Sequence, residues 1–230
     1  MIKPVWALSK VTLRELLRDK LLYNTLLISF ILLVVALLAA QVSIIRQDRI
    51  LVDFGLTGLW LSNVVIAVLT GAAMVGKELD RRTISVILSR PISRHQFLIG
   101  KYLGLSWILV LNWILLSGVF FLMVFVFASE AQSLWSKTLI LSVFFALFQS
   151  LLLSAVAVFF SSFASTTIAV LLTTGVFVIG SNVSQMLWLA QKIGDGLLPI
   201  LFRALAKVWP NFEVFQIQAA VTYQLSIPFS

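Results

Sequence analysis

The chain has 230 residues, 60% of them hydrophobic and 11% charged, with a mean hydropathy of +1.06. Soluble domains carry about 25% charged residues, so this chain has too little charge to coat a water-facing surface and belongs in lipid. Its net charge of +8, from 17 Lys and Arg against 9 Asp and Glu, fits basic loops held on the cytoplasmic side of a membrane. It does not fit a nucleic-acid binder, which collects basic residues on a hydrated face.

With no cysteine and a single histidine, His95, the sequence excludes disulfides, thiolate metal sites and cysteine nucleophiles. Bis-histidine haem and the usual histidine-based zinc sites are excluded on the same count.

The first twenty residues lack an apolar core ahead of their charges and a small-residue cleavage site, so they do not read as a signal peptide. On a helical wheel Val5, Trp6, Leu13, Leu16 and Leu17 gather on one side, with Lys3, Lys10, Arg14 and Arg18 beside them. That pattern describes residues 1–20 as an interfacial amphipathic helix on the inner leaflet. The alternative is an ordinary cytosolic helical start to the first span.

Residues 21–230 form the membrane domain. Stretches free of Asp, Glu, Lys and Arg cover 21–45, 54–76, 102–129 and 138–191. Apolar runs of this length without period-two alternation are spanning helices, since about 20 residues cross the hydrocarbon. The last stretch, 54 residues long, would reach about 81 Å as one helix, far more than one crossing. Five hydroxyls, Ser161, Ser162, Ser165, Thr166 and Thr167, mark the turn that divides it.

The expected fold is therefore an all-α, polytopic membrane helical bundle of five spans, at about 21–45, 54–76, 102–129, 138–160 and 167–189. Eleven basic residues fall on the inner segments and six on the outer ones if the N-terminus is cytoplasmic, which sets the orientation. The tail, 190–230, holds an apolar stretch at 193–209 interrupted by Asp195, Pro199, Arg203 and Lys207. It is too short and too charged to cross. It forms one or two amphipathic helices at the outer surface, or a re-entrant hairpin.

Gly71-Ala72-Ala73-Met74-Val75-Gly76-Lys77-Glu78 satisfies seven positions of a phosphate-binding loop, but Glu78 stands where Ser or Thr must hold magnesium. The run also ends an apolar span instead of following a strand, and small residues at a membrane helix end account for it. The spans contain no Asp, Glu, Lys or Arg, which disfavours an ion-coupled carrier and leaves no acid, base or nucleophile for an intramembrane enzyme. Their most polar groups are the amides Asn24, Asn63, Asn112, Gln149 and Asn182. Interhelical hydrogen bonding is the default role of such amides. Asn63, Asn112, Gln149 and Asn182 are also the candidates for lining a substrate path.

The segment 77–101 carries six basic and two acidic residues. Burying eight charges in hydrocarbon would cost roughly 20 kcal/mol at about 2.5 each, so it stays at the surface. Yet Ile84, Ile87, Leu88, Ile92, Phe97 and Leu98 are apolar. Arg90-Pro91 breaks the first helical stretch, and Ser93 can cap a second. The outcome is a helix-turn-helix elbow under the membrane, with enough apolar surface to dock a partner.

Glu78-Leu79-Asp80-Arg81-Arg82-Thr83-Ile84, then Leu88-Ser89-Arg90-Pro91-Ile92-Ser93-Arg94 and Gly100-Lys101, resemble the coupling segment of ABC-2 type permeases, the membrane subunits of ATP-binding-cassette transporters. Members show Glu, then Gly-Thr, then Leu-Leu-Ser-Arg-Pro-Val-Ser-Arg, then Gly-Lys; here Arg82 replaces the Gly. Trp209-Pro210-Asn211-Phe212-Glu213 resembles the outer segment before the family's last span. The family has six spans, and the sixth would follow Ser230.

The resemblance implies a multi-pass permease of the cell inner membrane, not itself an enzyme, and most often an exporter. It implies a cytosolic ABC ATPase subunit that holds the ATP and magnesium, and a second permease copy or homologue beside this one. Contact with the ATPase would fall on Glu78, Arg81, Arg82, Thr83, Ile84, Ile87, Leu88, Arg90, Pro91, Ser93 and Arg94. The alternative from another class is a membrane scaffold subunit without transport of its own.

Overall fold

A computed structural model describes residues 2–42, 47–80, 93–127, 137–193 and 196–215. These form eight α-helices, one short 3-10 helix and no strand. In chain order they are α1 (Ile2–Leu17), α2 (Lys20–Val42), α3 (Gln47–Asp80), α4 (Arg94–Phe127), α5 (Lys137–Ser161), α6 (Thr166–Gly180), α7 (Val183–Ile193) and α8 (Leu197–Val208). The 3-10 turn is Glu213–Phe215. The chain is thus an all-helical membrane bundle.

Three segments are long and apolar enough to cross a membrane: Ile50–Met74, His95–Phe127 and Thr138–Ser161. The bent pair Thr166–Gly180 and Val183–Ile193 makes a fourth if counted as one span. The first expected span falls on α2, whose apolar part includes Leu26–Ala39.

α3 is the hub, packed against α2, α4, α5 and α6. It runs parallel to α5: Trp60 meets Gln149, and the Ser161 hydroxyl donates to the Ala72 carbonyl at 2.7 Å. It runs antiparallel to α4, with Gly55 against Phe120 and Asn63 against Asn112. α2 turns Ser29, Leu33 and Ala36 inward, one helical face, and leaves Ile28, Ile31 and Leu38 outside. That is the reverse of a soluble helix only in its exposed face, which lipid covers without penalty.

Two apolar clusters follow. One centres on Leu105, Ile108, Leu109 and Leu153 toward the end that carries α1, called the base below; the other centres on Leu33, Leu56, Phe120 and Val143 toward the far end.

The hydroxyl turn divides the long apolar run where expected. α5 ends at Ser161, the Ser162 hydroxyl donates to Phe159 O, and Ala164 N–H returns to Phe160 O. An extended Ser165 then begins α6.

Where a fifth span is expected, at 167–189, α6 and α7 meet at a bend of 63°. The cause is local. The Asn182 side chain donates to Val178 O at 2.7 Å, while its own carbonyl starts α7 by accepting from Met186 N–H. A side chain that bonds backbone in this way competes with helix continuation. The tail expected at 190–230 begins inside α7, and α7 folds back against α8.

Both ends of the elbow expected at 77–101 are helical: α3 continues as helix through Asp80 and α4 starts at Arg94. Residues 81–92 lie outside the described residues.

Candidate functional site

At the base, α4 begins with a reciprocal cap. Ser93 N–H donates to Gln96 Oε1 at 3.1 Å, and Gln96 N–H donates to Ser93 Oγ at 3.3 Å. This capping box satisfies two helix-end groups, and it fixes where α4 begins. Of the other expected contact residues, Glu78 lies in the last turn of α3 and Arg94 is the first residue of α4. Arg81, Arg82, Thr83, Ile84, Ile87, Leu88, Arg90 and Pro91 lie outside the described residues.

Two turns into α4 the base is clamped to α1. A Cβ at Gly104 would lie 2.6 Å from Thr12 Cβ and 3.0 Å from Ser9 O, and one at Gly100 2.8 Å from Leu8 Cδ2. The Gly-x3-Gly spacing therefore brings the two helices into backbone contact, as small residues do in membranes. Lys101, between the glycines, is buried; its ammonium lies 3.2 Å from Glu15 Oε2 and 6.0 Å from the Phe97 ring. At the other end of the contact Trp6 and Trp107 meet edge to face at 6.3 Å, with Lys10 over Trp6.

The face of α1 differs from the hydrophobic wheel. Ser9, Thr12 and Leu16 are buried, whereas Trp6 is about half exposed. Leu13, Leu16 and Leu17 of that wheel do pack into the apolar core, and close packing adds Ser9 and Thr12 to the buried face. Sequence reading singled out Gly100-Lys101 but missed their partners on α1, Ser9, Thr12 and Glu15. The signal was present in the glycine spacing around a lone basic residue.

In the middle of the bundle three of the four candidate path amides converge. Asn112 Nδ2 donates to Asn63 Oδ1 at 3.1 Å, and Asn63 Nδ2 donates to Leu59 O. One turn away on α3 the Trp60 indole donates to Gln149 Oε1 at 2.7 Å. Asn63, Asn112 and Gln149 are all fully buried within the chain, joining α3 to α4 and α5. Asn182 stands apart, at the bend between α6 and α7. Gly71, from the phosphate-loop pattern, faces Ala157 across the α3–α5 contact.

The Trp209-Pro210-Asn211-Phe212-Glu213 segment fastens the bend. The Trp209 indole donates to Val176 O at 2.9 Å, and Phe212 N–H donates to Gly180 O at 2.9 Å. Ser184 N–H donates to Glu213 Oε2 at 2.8 Å, which sets a carboxylate at the start of α7, where the helix dipole favours it. Phe212 is buried against Gly180 and Phe177.

The described residues thus form a hydrophobic helical bundle whose base is capped at Ser93 and clamped at Gly100 and Gly104. Comparison with protein families gives its class. The family described as ABC-2 family transporter protein matches residues 6–229, and the chain belongs to it. It is therefore a multi-pass permease subunit of an ABC transporter, a family that works with a partner ABC ATPase subunit. Comparison with curated proteins gives no match.

Proposed function

We propose that this chain pairs with a second permease in the cell inner membrane and exports substrate using ATP hydrolysed by a cytosolic ATPase beneath its base. In this reading the base is the cytosolic end. The ATPase grips the segment between α3 and α4 through rim contacts at Glu78, Arg81 and Arg82 and apolar anchors at Ile84, Ile87 and Leu88. Thr83, Arg90, Pro91, Ser93 and Arg94 complete the contact surface. ATP acts because the closed ATPase binds one state of the permease better than the other.

The observation that carries this reading is the continuity of the flanking helices. α3 runs unbroken to Asp80, and α4 starts from the Ser93 cap with α1 locked to it at Gly100 and Gly104. A push on residues 81–92 would reach two spans and one surface helix as a tilt, without loss in a flexible joint.

The test is the assembled transporter carrying Ile87→Arg or Leu88→Arg. An ATPase subunit co-purifies with the native chain in about equal numbers, and each variant loses permease-coupled ATPase activity while still inserting in the membrane. Coupled activity that survives both changes refutes the assignment of the elbow.

A further inference from the structure

The central amide layer leaves two polar atoms unpartnered, both on fully buried side chains. They are the Asn112 carbonyl oxygen on α4 and the Gln149 amide nitrogen on α5. One accepts and the other donates. Inside hydrocarbon neither can turn to bulk water, so the mismatch is costly to keep.

The existing bonds explain the mismatch. Gln149 uses its oxygen on the Trp60 indole, and Asn112 uses its nitrogen on Asn63. Trp60 and Asn63 are three residues apart on α3, a rise of about 4.5 Å, so the two amides they hold, Gln149 and Asn112, meet α3 at neighbouring levels.

We propose that this layer is a two-position hydrogen-bond switch. In the first position, that of the present structure, the Trp60 indole donates to the Gln149 carbonyl. In the second, the Gln149 side chain swings one turn along α3, its N–H donates to the Asn112 carbonyl, and Trp60 is released. Each position makes one bond and leaves one donor and one acceptor unmet: first Gln149 N–H and Asn112 C=O, then Trp60 N–H and Gln149 C=O. Neither has the advantage in hydrogen bonds, which is the condition for a bistable element. The Asn63–Asn112 bond persists in both and keeps α3 and α4 together.

The release has a direct consequence. The Trp60 ring lies 5.7 Å from Phe177 on α6, and Phe177 lies 6.3 Å from Phe212, which closes on Gly180 at the bend. One glutamine side chain therefore biases the packing of the bent span. The switch lies wholly within this chain and stands whether or not an ATPase grips the base.

The indole N–H of Trp60 reports it. The full chain, labelled with 15N-tryptophan and placed in lipid nanodiscs, gives seven indole signals, one for each tryptophan; loss of one in Trp60→Phe assigns it. The native Trp60 signal shows two environments, separate or exchanging on the μs–ms scale. Asn112→Leu removes the second acceptor and collapses the signal to the bonded position, although Asn112 bonds Asn63 rather than Trp60. Gln149→Leu collapses it to the unbonded one. A single, non-exchanging Trp60 signal in the native chain overturns the switch without any variant. So does exchange that persists unchanged in Asn112→Leu, or in Asn112→Ala if the leucine variant does not insert.

Discussion

The Lys101 ammonium stands 3.2 Å from the Glu15 carboxylate, and the two side chains differ sharply in exposure, 4% against 61%. A buried cation at the start of a span is thus joined to a wet carboxylate on a helix outside the spans. The pair sets which face of α1 meets α4, between two glycines that let the backbones approach.

Charge reversal tests that pairing. Lys101→Glu sets a buried carboxylate beside the exposed Glu15 carboxylate and costs about 1–3 kcal/mol of stability, the cost of leaving a buried polar group unsatisfied. Adding Glu15→Lys restores the opposite signs and recovers at least about half of the loss. Thermal unfolding of the purified protein in detergent measures both, and a double variant no more stable than Lys101→Glu alone would show that the pair sets nothing.

The glycine contact makes a separate prediction. Gly104→Ala drives a methyl into Thr12 Cβ and the Ser9 carbonyl, atoms that cannot move aside without shifting α1. Gly100→Ala meets only the Leu8 side chain, Cδ2 at 2.8 Å, Cβ at 3.0 Å and Cγ at 3.1 Å, a milder collision. Trypsin should therefore cut at the exposed Lys10 and Arg14 fastest in Gly104→Ala, more slowly in Gly100→Ala and slowest in the native chain. Equal rates in all three would mean that α1 is not held at this crossing.

Much of this architecture was legible in the letters, for definite physical reasons. Lipid requires long charge-free helices, so the apolar helices α3, α4 and α5 could be read from the letters, and the hydroxyl-rich Ser161–Thr167 run marked the break because polar side chains can satisfy a turn's backbone. Ser93 was legible because a short hydroxyl just beyond the break at Pro91 can accept from a free N–H of the next helix start. The bend at Asn182 was not, because the apolar pattern continues through it and the cause is one side-chain bond to Val178 O. Part of the α1 seam escaped because a wheel ranks residues by hydrophobicity, whereas Ser9 and Thr12 are buried for their small size against Gly104. Trp60 as the partner of Gln149 depends on a contact 89 residues apart, which no local pattern encodes.

The cap at the base should matter locally. Ser93→Ala removes one half of the reciprocal box and costs about 1 kcal/mol, the usual value for losing such a cap. Because Ser93 is exposed and the bundle is held elsewhere, the loss appears as faster amide exchange in the first turn of α4, with little change in the global transition. Exchange unchanged at Gln96 and Phe97 would mean that the box does not hold this helix start.

The far end depends on Phe212. It is 1% exposed, closes on Gly180 and Phe177, and its N–H satisfies the last carbonyl of α6. Phe212→Ala should cost about 3–4 kcal/mol, as for a large buried aromatic. Val214→Ala, two residues on and 64% exposed, should change stability by less than about 0.5 kcal/mol. Gly180→Ala attacks the same contact from the other side, since its methyl would collide with the Pro210 carbonyl and the Phe212 ring. The two changes remove one contact, so the Phe212→Ala/Gly180→Ala double variant should lose clearly less than the two single losses added together. Strict additivity in thermal unfolding would show that segment 209–213 and the bend at residue 180 are stabilised independently.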